Sequence, residues 1–245
     1  MRVQIPFLAP ILLTLILYFV YNIFIILWGG FMICTSSYGD FKSNIYSKYS
    51  ISGNRGVDAG YEGKCYPALA PKVGFWRKWE KNIGNKSFEE NTRFYIQEYW
   101  RQVLSKLDPE KVFKELDNSV LLCYEPNIEF CHRHIVAAWF EILLGEYVPE
   151  VKYTDHIEIV SRPKYVKEYL DDAMRIKRNM KGFDSLRALY LFEKSEKLVA
   201  KADELEAKTG KCYNNYRQEA CFLRYDAYMA EDEYYEETKQ KKMIK

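Results

Sequence analysis

The stretch Ser119-Val120-Leu121-Leu122-Cys123-Tyr124 is almost wholly apolar and lacks the polar alternation of a strand with one wet face. It reads as a strand buried on both faces, the pattern of parallel sheets. A short loop, Glu125-Pro126-Asn127-Ile128, follows. A helix is then expected from about Phe130 to Leu144, with Ile135, Val136, Trp139, Phe140 and Leu143 facing inward and Gly145 as its stop. A doubly buried strand needs strands beside it and helices over it, so the chain is expected to form a layered α/β domain.

Other segments fit that layer. Ile33 to Tyr38 and Lys48 to Ser52 read as short strands, each closed by a glycine-bearing turn. Residues 56–74 are rich in Gly and Pro and read as an ordered loop. A short helix is expected over Phe75–Ile83. A longer one is capped by Ser87, with Glu90 completing a capping box, and runs to about Leu107. Asp108-Pro109 opens another. Tyr147 to Tyr153 reads as a last strand. The expected fold is thus α/β, a small mostly parallel sheet flanked by helices, over residues 32–160.

After Arg162 glycine nearly vanishes and charge rises. Pro163 opens a helix to about Met180. Asp184 or Ser185 caps a second, ending at Gly210, and a third runs from about Asn215 to Thr238. Residues 161–245 therefore form an α-helical C-terminal extension that carries no chemical motif. It is expected to cover the α/β domain, to self-associate or to bind a partner.

Before the domain, Val3 to Met32 is one uncharged apolar run, longer than the ~20 residues that span a bilayer. Two readings stand. Residues 1–31 are a hydrophobic N-terminal helix anchored in the membrane through residues 3–28, or Met32 is the true start. Arg2 before the run and Lys42 and Lys48 after it weakly favour a cytoplasmic C-terminal domain in the first case. Both place the folded domain in the cytoplasm.

Six scattered cysteines, in a chain long enough to fold without staples, fit reduced thiols better than disulfides. The formal net charge is +2, which excludes the basic excess of a dedicated DNA-binding protein.

The residues that carry chemistry lie around the buried strand. In α/β sheets ligands gather at the carboxyl ends of strands. Cys123 sits near that end. The helix that follows presents unpaired N–H groups that suit an anion. Arg133 in its first turn offers a planar fork to phosphate or carboxylate. Cys131 at the helix start is expected to have a lowered pKa and to act as a nucleophile, with His132 as proton carrier. Tyr124 counts among the ligand-binding residues. His134 is expected on the surface and His156 is ordinary.

The run Leu121-Leu122-Cys123-Tyr124-Glu125, then Phe130-Cys131-His132-Arg133-His134, resembles the family known as domain of unknown function 488. So do the upstream Ala68-Leu69-Ala70-Pro71 and the helix around Tyr95-Ile96-Gln97-Glu98-Tyr99-Trp100. The resemblance covers roughly Ile33 to Glu150. It implies a compact α/β domain whose distinctive residues are Cys123 and Cys131. It adds Glu125, His132 and Arg133 to the site and matches Arg55 to an arginine after the second strand. It supplies no reaction, and the leader and the helical extension lie outside it.

No metal or other cofactor is expected. Cys-x7-Cys-His-x-His fits none of the usual zinc spacings, and adjacent side chains on a helix diverge. Neither common glycine-rich nucleotide motif is present. The expected function is cysteine-dependent processing or binding of a small anionic or nucleotide-like ligand. A nucleic-acid-binding module is the alternative, with Tyr66, Trp76, Trp79 and Tyr99 stacking bases and Arg55, Lys72, Arg77, Lys78 and Lys81 meeting phosphates. A membrane-tethered interaction protein is a third.

Overall fold

The computed structural model describes residues 33–43, 46–176 and 178–244. Residues 33–245 form one compact unit. The apolar run of residues 3–32, and the anchor expected of it, lie outside the described residues. Among those described, no helix is long and apolar enough to cross a membrane.

Among the described residues, six strands form one sheet: β1 (Cys34–Ser37), β2 (Ser47–Ser50), β3 (Lys64–Cys65), β4 (Ser119–Cys123), β5 (Glu150–Tyr153) and β6 (Ile157–Val160). Their order is β3-β2-β4-β1-β5-β6. All pairings are parallel except β5 with β6. The expectation of a mostly parallel sheet therefore holds. β4 lies between β1 and β2, and all five of its residues are buried. Its continuous apolar composition follows from that position.

Among the described residues, seven α-helices accompany the sheet: α1 (Val73–Asn82), α2 (Phe88–Gln102), α3 (Pro109–Glu115), α4 (His132–Leu143), α5 (Tyr165–Arg175), α6 (Leu186–Thr209) and α7 (Asn214–Ile244). Several begin where their side chains satisfy orphan backbone donors. Ser87 Oγ accepts from Glu90 N at 3.2 Å while Glu90 Oε2 accepts from Ser87 N at 3.1 Å. Asp108 Oδ1 accepts from Glu110 N at 3.0 Å, and Ser185 Oγ accepts from Ala188 N at 3.2 Å. Gly210, with φ +68°, ends α6 in the left-handed conformation that glycine adopts without strain.

The two sheet faces differ. The main core joins Leu121 and Tyr49 of the sheet to Ile96 and Tyr99 of α2, Ile135, Trp139 and Phe140 of α4, and Leu170 of α5. The opposite face carries a smaller cluster of Phe41, Val120, Leu122 and Val151, drawn from strands and loops. Flanking by helices thus applies to the first face. The first helix after residue 161 is also part of the main core, since Val166, Leu170, Ala173 and Met174 join it. Strand alternation then sets the site: Thr35, Ser37, Leu121, Cys123 and Glu150 share the helix side through the registers Thr35↔Leu121, Ser37↔Cys123 and Thr35↔Glu150.

Candidate functional site

A cavity of about 570 Å³ opens at the carboxyl ends of β2 and β4. Ser52, Gly53 and Asn54 of the turn after β2 form one side. Cys123, Tyr124 and Glu125 at the end of β4 and Cys131 and His132 at the start of α4 form the floor. Trp76, Arg77 and Trp79 of α1 face them, with Tyr95 and Phe130 between. The aromatic wall is braced by edge contacts, Trp79 to Tyr95 at 5.5 Å and Tyr95 to Phe130 at 5.2 Å between ring centres. Tyr124 is held by its hydroxyl, which donates to Asn54 Oδ1 at 2.6 Å.

Cys131 and His132 are neighbours in sequence, yet both reach the floor. Cys131 is the N-cap of α4 and has extended backbone, φ −147° and ψ 150°. It stands outside the helix, so the divergence of adjacent helical side chains does not apply to it. His132 Nδ1 lies 3.5 Å from Cys123 Sγ and 3.9 Å from Cys131 Sγ. His132 Nε2 donates to the Ile51 carbonyl at 2.9 Å and lies 3.8 Å from Cys123 Sγ. A carbonyl only accepts, so this bond puts the proton of the neutral imidazole on Nε2 and leaves Nδ1, the ring nitrogen nearer Cys123 Sγ, without one. The potential ligand atoms of Cys123, Cys131 and His132 all lie within 4.8 Å of one another. Glu125 Oε2 is 3.5 Å from Cys123 Sγ.

Both cysteines are only 2% exposed, but the atoms that remain accessible line the cavity. Burial alone would push the Cys131 thiol up. The Cys123 S–H directed at it and the charges of Arg133 and His132 instead bring it well below the ordinary thiol value. Cys123 moves the opposite way, raised by burial and then by the sulfur of Cys131. Burial lowers His132, and the negative sulfur of Cys131 more than reverses that. Glu125 is pushed up to about 7 by burial and by the Cys131 charge. The largest contribution that lowers Cys131 comes from the second sulfur, ahead of Arg133 and His132.

Of the seven residues expected at the site, Cys123, Tyr124, Glu125, Cys131 and His132 line the cavity, and Arg133 and Arg55 do not. Arg133, one position further round α4, faces β5, and its guanidinium pairs with Glu150 with both side chains fully buried. The anion cradle expected of it is not formed. Arg55 is exposed in the turn after β2, in left-handed conformation with φ +62°. Among the described residues, Arg77 is the one Lys or Arg lining the cavity, which Asp58 and Glu125 also line.

Two further expectations are corrected. His134, expected on the surface, is fully buried beside Glu150, its Nε2 3.3 Å from Glu150 Oε2 but outside hydrogen-bond geometry. Position 134 follows the helix inward against β5, where an apolar residue would ordinarily sit. Tyr99, expected to stack a base, is fully buried and donates its hydroxyl to the Leu69 carbonyl. Tyr66, also expected to stack, gives its hydroxyl to Glu115. Trp76, by contrast, is 39% exposed at the cavity.

Sequence reasoning missed Asn54, Asp58 and Tyr95 as lining residues and the Ile51 carbonyl as the partner of His132. Tyr95 carried a signal, since it belongs to the apolar face of α2, but that face reads as core. The Ile51 carbonyl follows from pairing: Ser50 lies opposite Leu122, and Ile51 N continues the ladder to the Leu122 carbonyl at 3.1 Å, which carries the end of β2 past Cys123. No family model matches the chain, and no curated protein or solved structure matches it.

Proposed function

We propose that the chain binds a small, flat, nucleoside- or nucleotide-like molecule in this cavity and processes it at the Cys123–Glu125–Cys131–His132 end. The observation that carries the reading is the convergence of two sulfurs and one imidazole nitrogen, oriented by the Ile51 carbonyl, on the floor of an aromatic-walled hollow. Pockets of this size, mostly apolar with a few convergent polar groups, are the common form of small-molecule sites.

The walls favour a flat ligand over a highly charged one. Trp76, Trp79 and Tyr124 offer ring surface, while Arg77 is balanced by Asp58 and Glu125. With Arg133 turned to Glu150, a polyanion has little to bind. Asn54 and Ser52 also line the cavity, their side chains tied into a hydrogen-bonded cluster with Tyr38, Asp58 and Tyr124. Membership in the family of domain of unknown function 488 over about residues 33–150 is part of the same proposal. It rests on Cys123, Glu125 and the Cys131-His132-Arg133 run alone.

Equilibrium dialysis against a panel of nucleobases, nucleosides and nucleoside monophosphates tests it. Saturable binding of at least one compound is expected, weakened in Trp76→Ala by the stacking loss of about 1–3 kcal/mol. A panel with no binder, or a binder that Trp76→Ala and Tyr124→Ala leave untouched, would overturn the assignment of the cavity.

A further inference from the structure

The three floor residues meet the requirements of a metal centre. This step rests on the reading above that the floor is the working end of the cavity. Zinc holds thiolate sulfur at about 2.3 Å and imidazole nitrogen at about 2.1 Å, so a tetrahedral site separates S from N by about 3.6 Å. His132 Nδ1 stands 3.5 Å from Cys123 Sγ and 3.9 Å from Cys131 Sγ, on either side of that edge length. All three ligand atoms fall within 4.8 Å of one another.

The second nitrogen of the ring supplies an independent observation. Imidazoles that ligate metals nearly always donate their other N–H to a carbonyl, a carboxylate or water, which fixes the tautomer and aims the lone pair. His132 Nε2–H to the Ile51 carbonyl, 2.9 Å, is such a bond, made to the residue that follows β2. The cluster is also short of a fourth ligand. Glu125 is near Cys123 but falls outside the group whose atoms all lie together. Structural zinc sites are closed by four protein ligands, while catalytic ones have three and an open position.

We infer that Cys123, Cys131 and His132 bind one zinc-class divalent ion through two sulfurs and Nδ1, with its fourth position open to the cavity. Two thiolates and an imidazole are a soft-to-borderline set, which selects zinc over magnesium or calcium. The open position gives an oxygen or nitrogen of the bound molecule a direct metal contact. It also gives a role to two cysteines that are 2% exposed yet line the cavity floor.

Cobalt(II) is the probe. Added under reducing conditions to the full chain after chelator treatment, it should give the visible bands of a tetrahedral site and a near-ultraviolet thiolate-to-cobalt band. Both should saturate at a single equivalent and be bleached by zinc. Cys123→Ser and Cys131→Ser should each weaken the thiolate band and the affinity by at least about tenfold. Cys212→Ser and Cys221→Ser, at exposed positions, should change nothing. A wild-type protein without the thiolate band, or a band abolished by Cys212→Ser and kept by Cys131→Ser, overturns the assignment.

If a serine variant does not fold, the wild type still decides. Cobalt should protect Cys123 and Cys131 from iodoacetamide while Cys212 and Cys221 stay reactive. Unprotected Cys123 and Cys131 sink the site. The dialysis measurement separates this from the ligand reading: cobalt bands with no nucleoside bound leave the metal centre and remove the ligand, and binding without bands does the reverse.

Discussion

Arg133 Nη2 lies 2.9 Å from Glu150 Oε1, and neither side chain is exposed to solvent. Arg133 Nε also donates to Glu150 Oε1 at 3.1 Å, and Thr35 Oγ1 donates to Glu150 Oε2 at 2.6 Å. The pair ties α4 to the junction of β1 and β5 and leaves the start of α4 with His132 turned to the cavity. Removing one partner strands the other charge in the core. Arg133→Met or Glu150→Gln is therefore expected to cost about 3–5 kcal/mol in urea denaturation. The double change Arg133→Met/Glu150→Leu should recover most of it, because two apolar groups leave no buried charge. Single-variant losses under about 1 kcal/mol would mean that the pair is not sealed as described.

The same pair sets an acid limit on stability. Burial pushes the Glu150 carboxyl up, but His134 and the Arg133 guanidinium more than reverse it and hold it below the usual carboxylate value. A folded pKa below the unfolded one means that the unfolded chain binds more protons between the two values. Stability from Glu150 is thus complete above the ordinary glutamate value, about 4.3. It is lost as pH falls toward the folded value. Denaturation midpoints measured down through that range should fall in the wild type and fall less steeply in Glu150→Gln. Equal slopes in the two proteins would remove Glu150 from the acid transition.

The fold was more legible than the site. β4 and α4 could be read because an uninterrupted apolar run and a helical stripe ending at Gly145 admit few other structures. The capping box at Ser87 marked α2 for a similar local reason. β3 is two residues long inside a glycine-rich loop, and β6 is half exposed, so neither carries the burial pattern of a strand. Within the site, a single residue of helix boundary decided the outcome. With Cys131 inside α4, its sulfur and the His132 ring would diverge by about 100°, and no ligand set would form. As the N-cap it joins them. The destination of Arg133 was equally hidden, because Glu150 is seventeen positions away and reaches it only through the sheet register.

Arg55 gives a local test of the cavity rim. It occupies left-handed backbone at φ +62°, between the lining residue Asn54 and Gly56. A side chain with a Cβ costs about 1–2 kcal/mol there relative to a right-handed conformation, and glycine avoids that cost. Arg55→Gly is expected to raise stability by a fraction of that amount, offset by the greater entropy of glycine in the unfolded chain. Because Arg55 does not line the cavity, nucleoside affinity should stay within about twofold, a difference under about 0.5 kcal/mol. A large affinity loss would return Arg55 to the ligand site expected of it from the sequence.

The tautomer of His132 is the most direct probe of the floor geometry. The Ile51 carbonyl can only accept, so the proton of the neutral ring must sit on Nε2, and Nδ1, within 3.9 Å of both Cys123 and Cys131 sulfurs, must be bare. The chain has only three histidines, which makes assignment of the ring nitrogens by long-range proton–nitrogen correlation practical. At a pH where the imidazole is neutral, the His132 spectrum should show Nε2 protonated and Nδ1 bare in metal-free protein. Zinc should then shift the Nδ1 resonance and leave the Nε2 proton in place. A ring protonated at Nδ1 would aim its proton at the sulfurs and its lone pair at a carbonyl oxygen. That arrangement repels the Ile51 contact and offers no nitrogen to an ion, so it would dissolve the cluster on which both the metal and the ligand proposals stand.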